Sequence, residues 1–282
     1  MSIVTFYNNN KEQTGKTMSI AAIATFMSIE HNYRILIIST TNEEDNLKNC
    51  FWEEKRKKRN LGIFGPNANL EVQNGVEGLT RIIRSNKITP DIITNYTKVV
   101  FKDRLEVLLG NDKSDSNSPE LQNIEQVYPE IIKSANQYYD LVLIDLDENI
   151  DEETKNNILN MSDVVVVNLN QRLKSINKYA EDKMKNEIIQ ARRRLILIGR
   201  YDRYSKYNSK NITRYLGEKN QVLTMPYNTL FMEAGEEAGV PDLFLRFRKM
   251  TDTEDSNGFF ISEVRRASEN IIYRLQDLQM KL

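Results

Sequence analysis

Eight consecutive residues, Asn10-Lys11-Glu12-Gln13-Thr14-Gly15-Lys16-Thr17, hold the densest chemistry in this sequence. They follow a short apolar run, Ile3-Val4-Thr5-Phe6-Tyr7, and open an apolar stretch, Met18-Ser19-Ile20-Ala21-Ala22-Ile23-Ala24. Strand, loop and helix in that order are the context in which Gly-Lys-Thr cradles phosphate groups. Successive backbone N–H groups would wrap a β-phosphate at the positive end of the helix. Lys16 would neutralise the β- and γ-phosphates, and the Thr17 hydroxyl would ligate Mg²⁺. The usual pattern starts with Gly where Asn10 stands, and Asn tolerates left-handed backbone better than most residues. The plainer alternative is a turn that caps a core helix, with Lys16 solvated.

The elements that must position this loop are legible as alternating strands and helices. Ile35 to Ile38, Leu141 to Ile144, Val164 to Val167 and Leu195 to Ile198 are short, branched and almost continuously apolar. Such runs fit strands buried on both faces of a parallel sheet. Helical patterns separate them: Lys16 to Ile29, Gln122 to Gln137, Glu152 to Asn160, Leu173 to Gln190 and Asn228 to Ala238. The expectation is an α/β fold: a doubly wound, mostly parallel sheet with helices on both faces, built from right-handed crossovers. Residues 1–282 show no internal repeat and no linker, so one domain is expected. Glu43 to Pro119 is the weakest region, with a charge run from Glu53 to Arg59 and a loop-like stretch from Asp112 to Pro119.

Bulk properties narrow the chemistry. Basic and acidic residues nearly cancel, leaving a net charge of -1. No global field is present to hold nucleic acid. One cysteine, Cys50, excludes an internal disulfide and a cysteine zinc site, and its default role is a small buried hydrophobe. One histidine, His31, argues against a histidine triad or metal cluster. No secretory signal and no bilayer-length apolar stretch is visible. A cytoplasmic protein is expected, with peripheral membrane association at a cell pole left open.

The phosphate loop and three later segments together resemble the ParA/MinD family of deviant P-loop ATPases. The family loop reads Lys-Gly-Gly-x-Gly-Lys-Thr; Lys11 matches its signature lysine, while Glu12 and Gln13 replace both glycines. Tyr139-Asp140-Leu141-Val142-Leu143-Ile144-Asp145 is similar to the family's acidic strand. Ile198-Gly199-Arg200-Tyr201-Asp202 is similar to its Leu-Asn-Arg-Tyr segment, with Gly199 where the family's purine-contacting Asn stands. Met225-Pro226-Tyr227-Asn228 resembles its Ile-Pro-x-Asp turn beside the base. The family's Asp-x-Asp after the second strand is absent here, with Ser39 and Thr41 in its place. The resemblance implies ATP and Mg²⁺ as cofactors. It implies Lys11 and Asp145 as catalytic residues, and Asn10, Lys11, Thr14, Gly15, Lys16, Thr17, Pro226 and Asn228 as the nucleotide-binding set. Thr17 and Asp145 would hold the metal. It also implies a homodimer in which Lys11 reaches the partner's phosphates.

Within the family, the Glu12/Gln13 and Ser39/Thr41 departures resemble atypical CpaE/TadZ-like members linked to Flp (Tad) pilus assembly. Neutral hydroxyls at residues 39 and 41 imply slow hydrolysis or none. Asp147 either supplies a substitute carboxylate or, with Glu148, forms a helix-start charge cluster; the cluster is favoured for Glu148. Three functions follow: a positioning ATPase that recruits a pilus or secretion complex, a DNA-partitioning ATPase using Arg192-Arg193-Arg194 or Arg246 to Lys249, and a scaffold that handles nucleotide poorly. The arginine run reads more readily as a solvated helix end. A C-terminal stripe, Val264, Ala267, Ile271, Leu275, Leu278 and Leu282, forms one helical face. Packing on the sheet, with Ile272 and Tyr273 broadening that face, is favoured over a membrane anchor.

Overall fold

A computed structural model describes residues 1–8, 13–41, 46–53, 75–85, 88–110, 124–185, 194–219 and 221–280. Within them the apolar runs pair into one eight-stranded sheet of order β3-β4-β2-β5-β1-β6-β7-β8. The strands are β1 (Ser2–Asn8), β2 (Ile35–Ser39), β3 (Lys98–Phe101), β4 (Leu105–Leu108), β5 (Leu141–Asp145), β6 (Val164–Leu169), β7 (Arg194–Tyr201) and β8 (Leu223–Pro226). Every pair is parallel except the edge hairpin β3–β4. That hairpin and the helix Val76–Arg84 fall in the stretch where the sequence pattern is weakest. The hairpin turn uses Asp103 at φ 59, a left-handed position that Asp tolerates.

Strand alternation explains why the runs are continuously apolar. Leu36, Ile38, Val142, Ile144, Val165 and Val167 join one core, while Ile35, Ile37, Leu141, Leu143, Val164 and Val166 join the other. Each strand therefore needs apolar side chains on both faces. On the second face lie α1 (Lys16–Glu30) and the C-terminal helix Ser256–Gln279. Val264, Ala267 and Ile271 of that helix are fully buried against α1 and β8. The stripe thus packs on the sheet up to Leu278, and Leu282 lies outside the described residues. Ile272 joins this packing, but Tyr273 does not: it is 69% exposed and points away from the core. Among the described residues, no helix is long and apolar enough to cross a membrane.

Arg194 opens β7 rather than ending a solvated helix. Its guanidinium donates to both Glu218 carboxylate oxygens at 3.0 Å and to the Tyr179 hydroxyl at 3.1 Å, and Lys183 Nζ reaches Glu218 at 2.6 Å. Burial alone pushes the Glu218 carboxyl up, but hydrogen bonds from Lys183 and Arg194 outweigh it and hold the group below its usual range. A depressed folded value means the stabilisation is complete above the unfolded carboxylate range. It is lost as the pH falls through the folded value. Glu218→Gln should therefore cost about 1 to 3 kcal/mol at neutral pH and flatten the acid limb of the stability profile. Urea melts at neutral and acid pH measure both, and an unchanged neutral midpoint would contradict the assignment.

Candidate nucleotide site

The C-terminal ends of β1, β2 and β5 converge on one cavity of about 470 Å³. Its floor is the turn into α1. Gly15 caps that helix at φ 78, ψ 25, a left-handed geometry that suits glycine. No side chain caps the helix, so its first N–H groups remain available to an anion. Lys16 follows with its side chain turned inward, and Thr17, half-buried, lines the same cavity.

Lys16 and Asp145 meet there. Lys16 Nζ lies 2.9 Å from Asp145 Oδ1 and also donates to the Leu146 carbonyl. Both side chains are under a tenth exposed, at 9% and 7%, so Lys16 is not a solvated charge. Asp145 sits at the end of β5, in register with Phe6 of β1 and Ser39 of β2. Thr40 fixes the turn that follows: its hydroxyl donates to the Asp145 carbonyl at 3.2 Å and accepts from the Asp147 N–H at 2.8 Å.

A second chain of bonds ties the loop to the turn after β5. Thr14 Oγ1 donates to Asn8 Oδ1 at 2.5 Å, and Asn8 Nδ2 donates to the Glu148 carboxylate. The helix after this turn, Glu152–Met161, is capped by Asp151, whose side chain accepts from the Thr154 N–H at 2.9 Å. Asp147 and Glu148 therefore stand in the turn, not at the helix start. This corrects the helix-start reading of Glu148: both carboxylates line the cavity. Asn8 and Glu148 were not anticipated as site residues. The one signal was a polar Asn8 closing a mostly apolar strand.

Pro226 and Asn228 border a smaller adjoining cavity, together with Gly15, Met18, Arg200 and Tyr227. Pro226 ends β8, and the Asn228 amide caps the next helix, accepting from the Phe231 N–H at 2.8 Å and donating to Asn257 Oδ1 at 2.9 Å. The structure thus gathers Thr14, Gly15, Lys16, Thr17 and Asp145 around the larger cavity, with Pro226 and Asn228 beside it. Asn10 and Lys11, like Glu12, lie outside the described residues.

The donor set fits a magnesium nucleotide. Among the described lining residues, Asp145, Asp147, Glu148 and Glu236 face only Lys16 and Arg200 as cations. A polyphosphate entering alone would meet that surplus of carboxylates; a divalent cation held by Thr17 and Asp145 would neutralise the oxygens on both sides.

The eight-stranded, mostly parallel sheet with its helices matches the ParA/MinD P-loop NTPase fold. The chain is similar to a ParA family ATPase from Chlorobium tepidum TLS, with a TM-score of 0.69 at 14% identity over 95% of this chain and 98% of that one. It is similar to the septum site-determining protein MinD from Pyrococcus horikoshii OT3, a complex with Mg-ADP (TM-score 0.63, 16% identity, 97% and 98% covered). It is also similar to a plasmid partition protein from Borrelia burgdorferi B31 bound to AMPPNP (TM-score 0.60, 17% identity, 99% and 98% covered). No family model matches the sequence. No curated protein sequence matches it.

Proposed function

We propose that residues 1–282 act as one ParA/MinD-like domain that binds Mg-ATP and dimerises on nucleotide to recruit a cell-envelope machine. The observation that carries this reading is the buried Lys16–Asp145 pair at 2.9 Å, placed where α1 begins and β5 ends. Phosphate binding would draw Lys16 from Asp145 and release that carboxylate to the metal. Lys11 would then reach the partner's phosphates. Hydrolysis is slow in this reading, because Ser39, buried beside Asp145, and Thr41 are hydroxyls where a base would be needed. The same departures support the CpaE/TadZ-like, Flp (Tad) pilus branch; in this reading the protein works in the cytoplasm, at a pole when assembled with its machine. Pilus genes beside this one would support the branch.

The resemblance to plasmid partition structures keeps a DNA-partitioning reading in view. DNA binding that falls steeply with salt would favour it. Arg194 contributes little to it, being bound to Glu218.

Sedimentation with and without Mg-ATP tests the main reading. The wild type should double in mass with Mg-ATP and release phosphate slowly. Lys11→Ala should keep most ATP binding yet lose the dimer, since each charge-assisted contact is worth roughly 1.5 to 3 kcal/mol and a two-fold dimer has two of them. Equal wild-type mass in both conditions would sink the nucleotide-driven dimer and leave the scaffold reading.

A further inference from the structure

Arg200 stands where the phosphate cavity meets the smaller one at Pro226 and Tyr227, and it lines both. Its backbone has φ 50, a left-handed conformation uncommon for an arginine. The β7–β8 register shifts at the same place, between Ile198 and Tyr201. The side chain then lies across the phosphate loop. Arg200 Cγ is 3.5 Å, and Nε 3.9 Å, from the point where a Cβ on Gly15 would project. Those are ordinary contact distances, so the arginine stem runs beside Gly15.

Among the described residues, the guanidinium makes no ion pair, although Asp145, Asp147, Glu148 and Glu236 line the same cavity. A merely solvated arginine explains the exposure. It does not explain a left-handed backbone at the end of a strand, nor a course laid along the loop that holds Lys16. Outlying backbone of this kind clusters where a ligand is gripped.

Two positions at the other end of the site are closed to a base. A Cβ at Gly199 would lie 1.9 Å from the Thr14 carbonyl oxygen, so no side chain can read a base from there. The Asn228 amide is taken by the Phe231 N–H and by Asn257. Beside the exposed Tyr227 phenol, Arg200 is the cation left to meet a nucleotide at this end, among the described residues.

We infer that Arg200 is a second phosphate-binding cation of this site, supplied by the same chain, and that the protein takes nucleoside triphosphates with little regard to base. The inference rests on the proposed nucleotide function and assigns its specificity to charge. A guanidinium suits it, since it donates to phosphate oxygens in pairs.

The test is calorimetric binding of Mg-ATP, Mg-CTP and magnesium tripolyphosphate to the wild type, Arg200→Gln, Arg200→Lys and Lys16→Ala. The wild type should bind ATP and CTP within about tenfold of each other, the scale of a single neutral hydrogen bond. Arg200→Gln should weaken all three ligands by roughly ten- to a hundredfold, and Arg200→Lys should recover part of that loss. Arg200 is exposed, so the variants should melt like the wild type. If Arg200→Gln leaves tripolyphosphate binding unchanged, or weakens ATP alone, the inference is wrong. Lys16-dependent binding with no Arg200 effect would overturn this inference only, whereas a wild type that binds none of the ligands would overturn the nucleotide reading beneath it.

Discussion

Lys16→Ala is expected to abolish Mg-ATP binding and, even without nucleotide, to lower stability by roughly 3 to 5 kcal/mol, the usual cost of leaving one half of a buried ion pair behind. For a chain of this size that is a fall in Tm on the order of 5 to 10 °C. Two effects share one cause. The ammonium would be the main phosphate counter-charge of the loop, and it is the partner of Asp145 at 2.9 Å. Removing it strands a carboxylate whose side chain is 7% exposed. The effects separate in a double variant. Adding Asp145→Asn to Lys16→Ala removes the stranded charge, so most of the stability should return while ATP binding stays lost. Thermal melts and calorimetry on the wild type and both variants decide. Equal ATP affinity for the wild type and Lys16→Ala would end the phosphate-loop assignment. A double variant no more stable than Lys16→Ala would show that the pair is not what holds Asp145.

The central sheet was legible because its strands, buried on both faces, read as unbroken apolar runs bounded by helices. The edge hairpin was not. Lys98–Phe101 and Leu105–Leu108 are four residues each. More than half of their side chains are only partly buried or exposed, so no continuous run marks them. The turn into α1 was legible because Gly-Lys-Thr sits between a strand and a helix. Glu148 was misread for a different reason. Acidic residues just before a helix usually favour its dipole, and only the structure shows the cap displaced to Asp151. Arg194 shows the same limit, since nothing local distinguishes a solvated arginine from one whose partner lies 24 residues away. Long-range pairing is invisible to spacing arguments.

Gly199 makes the sharpest case, because the sequence alone suggests that it has simply lost a base-reading amide. Restoring that residue, Gly199→Asn, should then tighten ATP binding. The structure leads to the opposite expectation. Any Cβ at this position would stand 1.9 Å from the Thr14 carbonyl oxygen and 3.1 Å from its carbon. Real Cβ atoms do not approach so closely, and the obstacle is backbone, which cannot rotate aside. Either the end of β7 or the phosphate loop must move. Overpacking of this kind costs about 1 to 3 kcal/mol, sometimes more. Because the displaced carbonyl belongs to the residue before Gly15, the shift also disturbs the left-handed cap that aims the first helical N–H groups. Gly199→Asn and Gly199→Ala should therefore both lose ATP affinity and stability together. Gly217→Ala is the comparison. Gly217 has φ 62, and a Cβ there would meet nothing within 4 Å. It should show only the modest cost of a strained φ and leave ATP binding intact. Calorimetry on the three variants reads the result. An ATP affinity for Gly199→Asn equal to or above the wild type would mean that the loop yields freely, and that the close approach of β7 to Thr14 has no part in shaping the site.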